Sequence, residues 1–140
     1  MELAVDEMEE HRKHFVKLRK QLINGLDEKF GDRYQINGAG DDGVPHIINI
    51  SFLDPGGDGL DGEMLLLNLD VEGICVSNGS ACTSGAMEPS HVLEGIGLDT
   101  TTANSSIRVS LGKDNTAEDI SYFLEKIEVV VNRMMSPAKA

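Results

Sequence analysis

The sequence predicts an α+β domain in which helices cover a mostly antiparallel sheet of short strands. Three observations lead to this prediction: a long amphipathic pattern at each end of the chain, short β-branched or alternating segments between them, and no repeat or linker. The 140 residues are about the size of one domain, so we expect a single domain over residues 1–140. Apolar residues make up 40% of the chain and tryptophan is absent, which predicts an aliphatic core.

The first thirty residues are predicted to form one long helix. Apolar residues recur there at helical spacing and share one face: Val5, Met8, Phe15, Leu18, Leu22 and Leu26. Gly31 is expected to end this helix, since glycine readily adopts the positive φ of a helix C-terminus. Two strands should follow at 34–36 and 46–52, and then a short helix that Asp61 caps and that ends at Leu69.

The middle of the chain is predicted to contain a buried strand and a short helix. Residues 73–77 are apolar around Cys75, which we expect to be an inert core residue. Residues 90–96 should form a helix, with Pro89 at its first position. The loop between them, 78–87, consists of small and polar residues without apolar periodicity.

The last third is predicted to be a strand followed by a long helix. Residues 105–111 alternate cleanly, so Ile107, Val109 and Leu111 should point one way while Arg108 and two serines point the other way. The helix is expected to begin at Thr116, with Asp119 completing a capping box, and to end before Pro137.

Charge and composition exclude several classes of function. Twenty-four acidic residues against twelve basic ones give a formal charge of −12, which argues against binding to nucleic acid or to an anionic membrane. No apolar run approaches the ~20 residues that span a bilayer, and the acidic segment 2–10 does not resemble a signal peptide. Two cysteines are too few for a disulfide framework. We therefore expect a soluble, cytoplasmic protein.

The loop 78–87 is the segment that most clearly suggests chemistry. Its residues offer little that can pack, so we expect it to be mobile and to expose Cys82 to a substrate or partner. An incidental cysteine in a flexible turn fits the composition equally well. The spacing from Cys75 does not fit a zinc site, Glu88 stands where a phosphatase loop needs arginine, and His91 is more typical of a helix surface than of a catalytic base.

Arg108 and two histidines are the other candidate functional residues. Arg108 is the only lysine or arginine between Arg33 and Lys113. Its guanidinium could clamp a carboxylate, although the pattern alone favours an ion pair with a neighbouring acid at the rim of the sheet. His11 and His14 are more typical of a solvated helix face than of a metal site, so no metal is expected.

Four ordered blocks of sequence resemble a known family. The blocks are Gly62-Glu-Met-Leu-Leu-Leu67, Gly73-Ile-Cys-Val-Ser-Asn-Gly-Ser-Ala-Cys-Thr-Ser-Gly85, Glu88-Pro-Ser-His-Val-Leu93 and Ser105-Ser-Ile-Arg-Val-Ser-Leu-Gly112. Together they resemble the C-terminal part of cysteine desulfurases, of the iron–sulfur-cluster type with the long catalytic loop, over essentially the whole chain. Asn78, where a second serine is usual, and a longer glycine-rich turn at 56–59 depart from the family pattern.

The resemblance implies a homodimeric enzyme of the fold-type-I pyridoxal-phosphate class, which is related to the class-V aminotransferases. In that family the cofactor activates L-cysteine, a loop thiolate attacks the substrate sulfur, and the products are L-alanine and an enzyme persulfide. The persulfide is passed to an iron–sulfur scaffold or another sulfur acceptor. By position, Cys82 matches the nucleophile and Arg108 matches the arginine that holds the substrate carboxylate.

The resemblance also implies that part of the enzyme is absent. Family members are much longer, and their cofactor lysine lies in a preceding large domain. None of the seven lysines here stands in the family's His-Lys setting. We therefore expect that the chain alone neither binds pyridoxal phosphate nor desulfurates cysteine. The alternatives are a free-standing persulfide-carrier or interaction module that uses Cys82, and a structural remnant in which Cys82 is unreactive.

Overall fold

The protein is an α+β structure in which helices cover a three-stranded sheet. The computed structural model describes residues 5–38, 40–78 and 90–136, apart from the side chain of Asp41. Its helices are α1 Met8–Phe30, α2 Gly62–Val71, α3 His91–Gly95, α4 Thr100–Asn104 and α5 Ala117–Met135. The strands β1 Tyr34–Asn37, β2 Ile47–Phe52 and β3 Ser106–Ser110 form an antiparallel sheet in the order β1-β2-β3. The predicted fold class is confirmed.

The sheet has one apolar and one polar face, because side chains alternate along each strand. Residues of the apolar face are buried in the core with α1 and α5: Ile48, Ile50, Phe52, Ile107 and Val109. The polar face carries Gln35, Asn37, Asn49, Ser51, Ser106, Arg108 and Ser110. At one end of this face Ser51 and Ser106 are buried, and the Ser51 hydroxyl donates to the Thr102 carbonyl of α4. Arg108 and Ser110 remain exposed at the other end.

The core is largely aliphatic, as the composition predicts. Residues Leu18, Leu22 and Leu26 of α1 are buried, together with Ile127 and Val130 of α5 and the edge-to-face pair of Phe30 and Phe52. The first four residues of the predicted helix lie outside the described residues; residues 5 and 6 are helical, and α1 runs from Met8 after a one-residue break. The predicted apolar face is wrong at its start, because the side chains of Val5 and Met8 are 63% and 62% exposed. The apolar stripe of the first helical segment therefore begins before the part of it that packs in the core of the described residues.

The predicted helix ends are confirmed where a local signal determines them. Gly31 follows α1 with φ of 60°, a conformation that favours glycine. The Asp61 carboxylate accepts hydrogen bonds from two backbone N–H groups in the first turn of α2. A capping box of Thr116 and Asp119 starts α5, and the helix ends at Met135, before Pro137.

Replacing Thr116 with alanine is expected to lower the free energy of unfolding by about 1 kcal/mol, because the Asp119 N–H loses its capping acceptor. A second hydrogen bond, from the Thr116 N–H to the Asp119 carboxylate, lowers the pKa of that carboxylate. The stability that this second bond contributes is present above the carboxylate's unfolded pKa and is lost as the pH falls through its folded value. Urea denaturation at neutral and acidic pH measures both effects. Glu125→Ala is the control inside the same helix, since the Glu125 side chain is exposed, and equal stability of the two variants would contradict the prediction.

Two predictions for the middle of the chain are wrong. Residues 73–77 do not form a strand; only Ser77 makes an isolated bridge, to Arg108. Cys75 is exposed and not a core residue, because Ile74 and Val76 on either side of it pack against the core and turn it outward. Helix α4 was not predicted, since three consecutive threonines are poor helix formers. The predicted helix at 90–96 is confirmed as α3, and no helix of the described residues could span a membrane.

Candidate functional site

Arg108 lies on the exposed polar end of β3, beside the segment that leads into the loop 78–87. The Arg108 N–H donates to the Ser77 carbonyl at 2.5 Å, and the Ser77 N–H donates to the Arg108 carbonyl at 3.1 Å. The guanidinium Nη2 also donates to the Ser77 hydroxyl at 3.4 Å. These contacts hold the start of the loop against the strand that carries Arg108.

Cys82, the predicted nucleophile, lies outside the described residues, as do Glu88 and Pro89. The structure describes the arginine and the start of the loop that leads to Cys82. Cys75 is the free thiol of the described residues, and it is exposed.

The guanidinium of Arg108 has no ion-pair partner among the residues that the structure describes. The ion pairs of those residues lie elsewhere, and they join Lys29 to Glu128, Lys126 and Arg133 to Glu72, and His11 to Glu7. The alternative that an acid at the rim of the sheet neutralises Arg108 therefore has no support in the described part of the chain. The Arg108 side chain is exposed, so an anionic ligand could reach the N–H donors of its guanidinium.

A row of carboxamides crosses the polar face toward Arg108. Asn49 on β2 stands directly opposite Arg108 on β3, and Asn37 on β1 stands directly opposite Asn49. The Gln35 amide donates to Asn37 at 2.9 Å, and Asn37 donates to Asn49 at 2.7 Å. Asn49 was not predicted as a site residue, although the alternation along 46–52 places it on the polar side of its strand.

The histidine pair on α1 makes contacts within the chain. The ring Nε2 of His14 hydrogen-bonds the backbone carbonyl of Asn115 at 2.8 Å, which ties α1 to the residue before the cap of α5. His11 lies 3.7 Å from Glu7. The described residues contain no group of three side chains that could hold a metal ion.

Pyridoxal phosphate requires a lysine for its covalent attachment, and the lysines on α1 and α5 do not fit such a site beside Arg108. Four lysines are on α1 and Lys126 is on α5, and both helices pack on the apolar face, whereas Arg108 belongs to the polar face. The amine of Lys29 lies 2.5 Å from Glu128, and the hydrogen bond to Glu72 raises the pKa of Lys126. Lys113 lies in the turn after β3.

Comparison with known proteins identifies relatives of the chain. Residues 2–123 match the family model described as aminotransferase class-V. A cysteine desulfurase IscS of Clostridium botulinum is 43% identical, over 98% of this chain and 34% of that protein. The cysteine desulfurase IscS of Vibrio vulnificus is 42% identical, over 96% of this chain and 32% of that protein. The chain thus spans about a third of the length of the curated relatives it matches.

Solved structures share the fold. A NifS-like protein superimposes with a TM-score of 0.76 and 34% identity, over 95% of this chain and 31% of that chain. A NifS-like protein from Rickettsia africae superimposes with a TM-score of 0.75 and 29% identity, over 93% of this chain and 31% of that chain. The arrangement of helices on the small antiparallel sheet is therefore the one that the resemblance implied.

Proposed function

Because the chain belongs to the class-V aminotransferase family, we propose that it is the C-terminal, sulfur-accepting domain of a cysteine desulfurase. The observation that carries the proposal is the exposed Arg108, which lacks an ion-pair partner among the described residues and lies at the start of the Cys82 loop. In this proposal the full-length enzyme is a homodimer that converts L-cysteine to L-alanine. The sulfur remains on Cys82 as a persulfide.

The proposed role of Arg108 is to bind the α-carboxylate of L-cysteine. A guanidinium presents two parallel N–H donors that match the two carboxylate oxygens. Since Ser77 is hydrogen-bonded to Arg108, the substrate is held beside the first residues of the loop that carries the nucleophile. In this proposal strand β3 holds the substrate carboxylate and the backbone at the start of the loop.

The proposed role of Cys82 is nucleophilic attack on the substrate sulfur. An S–S bond forms between the two sulfurs while the bond from the substrate sulfur to its β-carbon breaks and leaves its electron pair on that carbon. The β-carbon then takes up a proton, which completes L-alanine. The carbon is reduced as the sulfurs are oxidised, so the step needs no external oxidant. Pyridoxal phosphate, which we assign to a part of the full-length enzyme outside this chain, would supply the electron sink that stabilises this electron pair.

The persulfide has two further requirements. It must be collected by an acceptor, and we propose an iron–sulfur scaffold or another sulfur-accepting protein, consistent with the relatives named cysteine desulfurase. The thiolate must also stay reduced until it meets the substrate sulfur, so we place the reaction in the cytoplasm, where thiols are kept reduced.

The test compares the isolated chain with a reconstituted enzyme, in which the chain is joined to the part of the Clostridium botulinum relative that it does not match. Both are mixed with pyridoxal phosphate and L-cysteine, and alanine and sulfide are measured. We expect turnover by the reconstituted enzyme and none by the isolated chain. Turnover by the isolated chain would show that one of its own lysines holds the cofactor. Sulfur transfer to Cys82 of the isolated chain from a separate desulfurase would favour the carrier function instead.

A further inference from the structure

We propose that Asn49 is a second carboxylate-binding residue, which donates a hydrogen bond from Nδ2 to the carboxylate that Arg108 binds. The inference rests on the proposed role of Arg108. Asn49 and Arg108 face each other across β2 and β3, on the polar face of the sheet. Side chains directly opposite each other in an antiparallel pair have Cβ atoms only ~5 Å apart, so one small ligand can contact both.

The orientation of the Asn49 amide follows from a chain of hydrogen bonds that begins at Ser51. The Ser51 hydroxyl is fully buried and donates its only proton to the Thr102 carbonyl at 2.8 Å. It can therefore only accept from Asn37, which lies 2.8 Å away. The Asn37 atom that faces Ser51 is thus the donor Nδ2.

The same Asn37 Nδ2 lies 2.7 Å from the Asn49 side chain, so the atom that it meets there must be the acceptor Oδ1. The remaining oxygen of Asn37 accepts from Gln35, which agrees with this assignment. The oxygen and nitrogen of a carboxamide lie in one plane, on opposite sides of the bond that joins Cγ to Cβ. With Oδ1 turned toward β1, the Nδ2 of Asn49 is on the side of β3, where Arg108 stands.

Asn49 and Arg108 therefore present donors, and no acceptor, to one place on the polar face. No described residue accepts from Asn49 Nδ2, and no described carboxylate pairs with Arg108. Ser77 contacts the guanidinium and leaves further N–H groups open. One positive charge with one neutral amide, in a chain of net charge −12, suits a monoanionic carboxylate better than a phosphate dianion.

The test is a titration of the isotope-labelled chain with propionate, which carries a carboxylate without an amine, followed by nuclear magnetic resonance. We expect the side-chain signals of Asn49 Nδ2 and Arg108 Nε to shift together, with one apparent dissociation constant, and neither to shift with propionamide. Asn49→Ala is expected to weaken binding about tenfold, since it removes one hydrogen bond to a charged group. Asn49→Asp should abolish binding, because the new carboxylate competes for Arg108. Ser110→Ala, on the same exposed face, is the matched control and should bind normally.

The outcomes separate this inference from the proposed function. If Arg108 shifts with propionate while Asn49 does not, and Asn49→Ala binds as the wild type does, the inference is wrong and the role of Arg108 stands. If Arg108 does not shift, both are wrong. The backbone spectrum of each variant shows whether it keeps its fold. If Asn49→Ala does not fold, the joint shift of the Asn49 and Arg108 signals in the unaltered chain still tests the inference.

Discussion

Cys82→Ser in the reconstituted enzyme is expected to abolish the enzyme persulfide and to lower alanine formation at least about a thousandfold, the scale of the loss when a catalytic nucleophile is removed. A serine hydroxyl is protonated at neutral pH and cannot form the S–S bond that the reaction requires. Alanine is measured after mixing with L-cysteine, and the persulfide is detected as a mass increase of one sulfur atom that a reductant removes.

The matched control for this substitution is Cys75→Ser. Cys75 is also exposed, so it reports what an accessible thiol outside the proposed mechanism contributes. We expect the Cys75→Ser enzyme to form alanine and persulfide at the wild-type rate. Loss of activity in Cys75→Ser with retention in Cys82→Ser would exchange the roles of the two cysteines and overturn the assignment.

Arg108→Gln is expected to raise the KM for L-cysteine about a hundredfold, because it removes the charge and one of the two parallel hydrogen bonds to the carboxylate. Arg108→Lys keeps the positive charge but loses the two parallel N–H donors, so we expect it to raise the KM about tenfold. The side chain is exposed, so the fold and the midpoint of urea denaturation should stay close to wild type.

The control for Arg108 is Arg133→Gln. Arg133 is exposed near the end of α5 and is paired with Glu72, so its removal changes the net charge by the same amount away from the site. We expect an unchanged KM. Equal values of KM for the wild type and Arg108→Gln would refute the carboxylate clamp. A similar rise of KM in Arg108→Gln and Arg133→Gln would show that the net charge of the chain, and not the position of Arg108, causes the effect.

The helix ends could be predicted from the sequence because each depends on residues within one turn. Gly31 and Asp61 act on backbone groups next to them. The strand predicted at 73–77 failed for the opposite reason: a strand needs a partner, and only Ser77 reaches β3. Helix α4 forms despite the low helix propensity of its threonines. The burial of Thr102 and the cap by the Asp99 carboxylate stabilise it.

The candidate site was only partly predictable. Arg108 stands out because it is an isolated base on the polar side of a strand. The surroundings of Asn49 depend on the register between β2 and β3, which are far apart in the chain, so no local pattern could assign them. The role of Cys82 was inferred from a resemblance, and it stays a prediction because the residue lies outside the described ranges.

The backbone bridge between Ser77 and Arg108 also sets the length of a tether. Ser77 is fixed to the sheet, and five residue steps separate it from Cys82. A fully extended chain spans ~3.5 Å per step, so the Cα atom of Cys82 stays within ~17 Å of the bridge. Confinement to that radius gives the thiol an effective concentration of at least millimolar order toward any ligand held at Arg108. Under the proposed function, an acceptor protein must bring its own thiol to the persulfide sulfur of Cys82, so the bridge limits how far from the sheet it can dock.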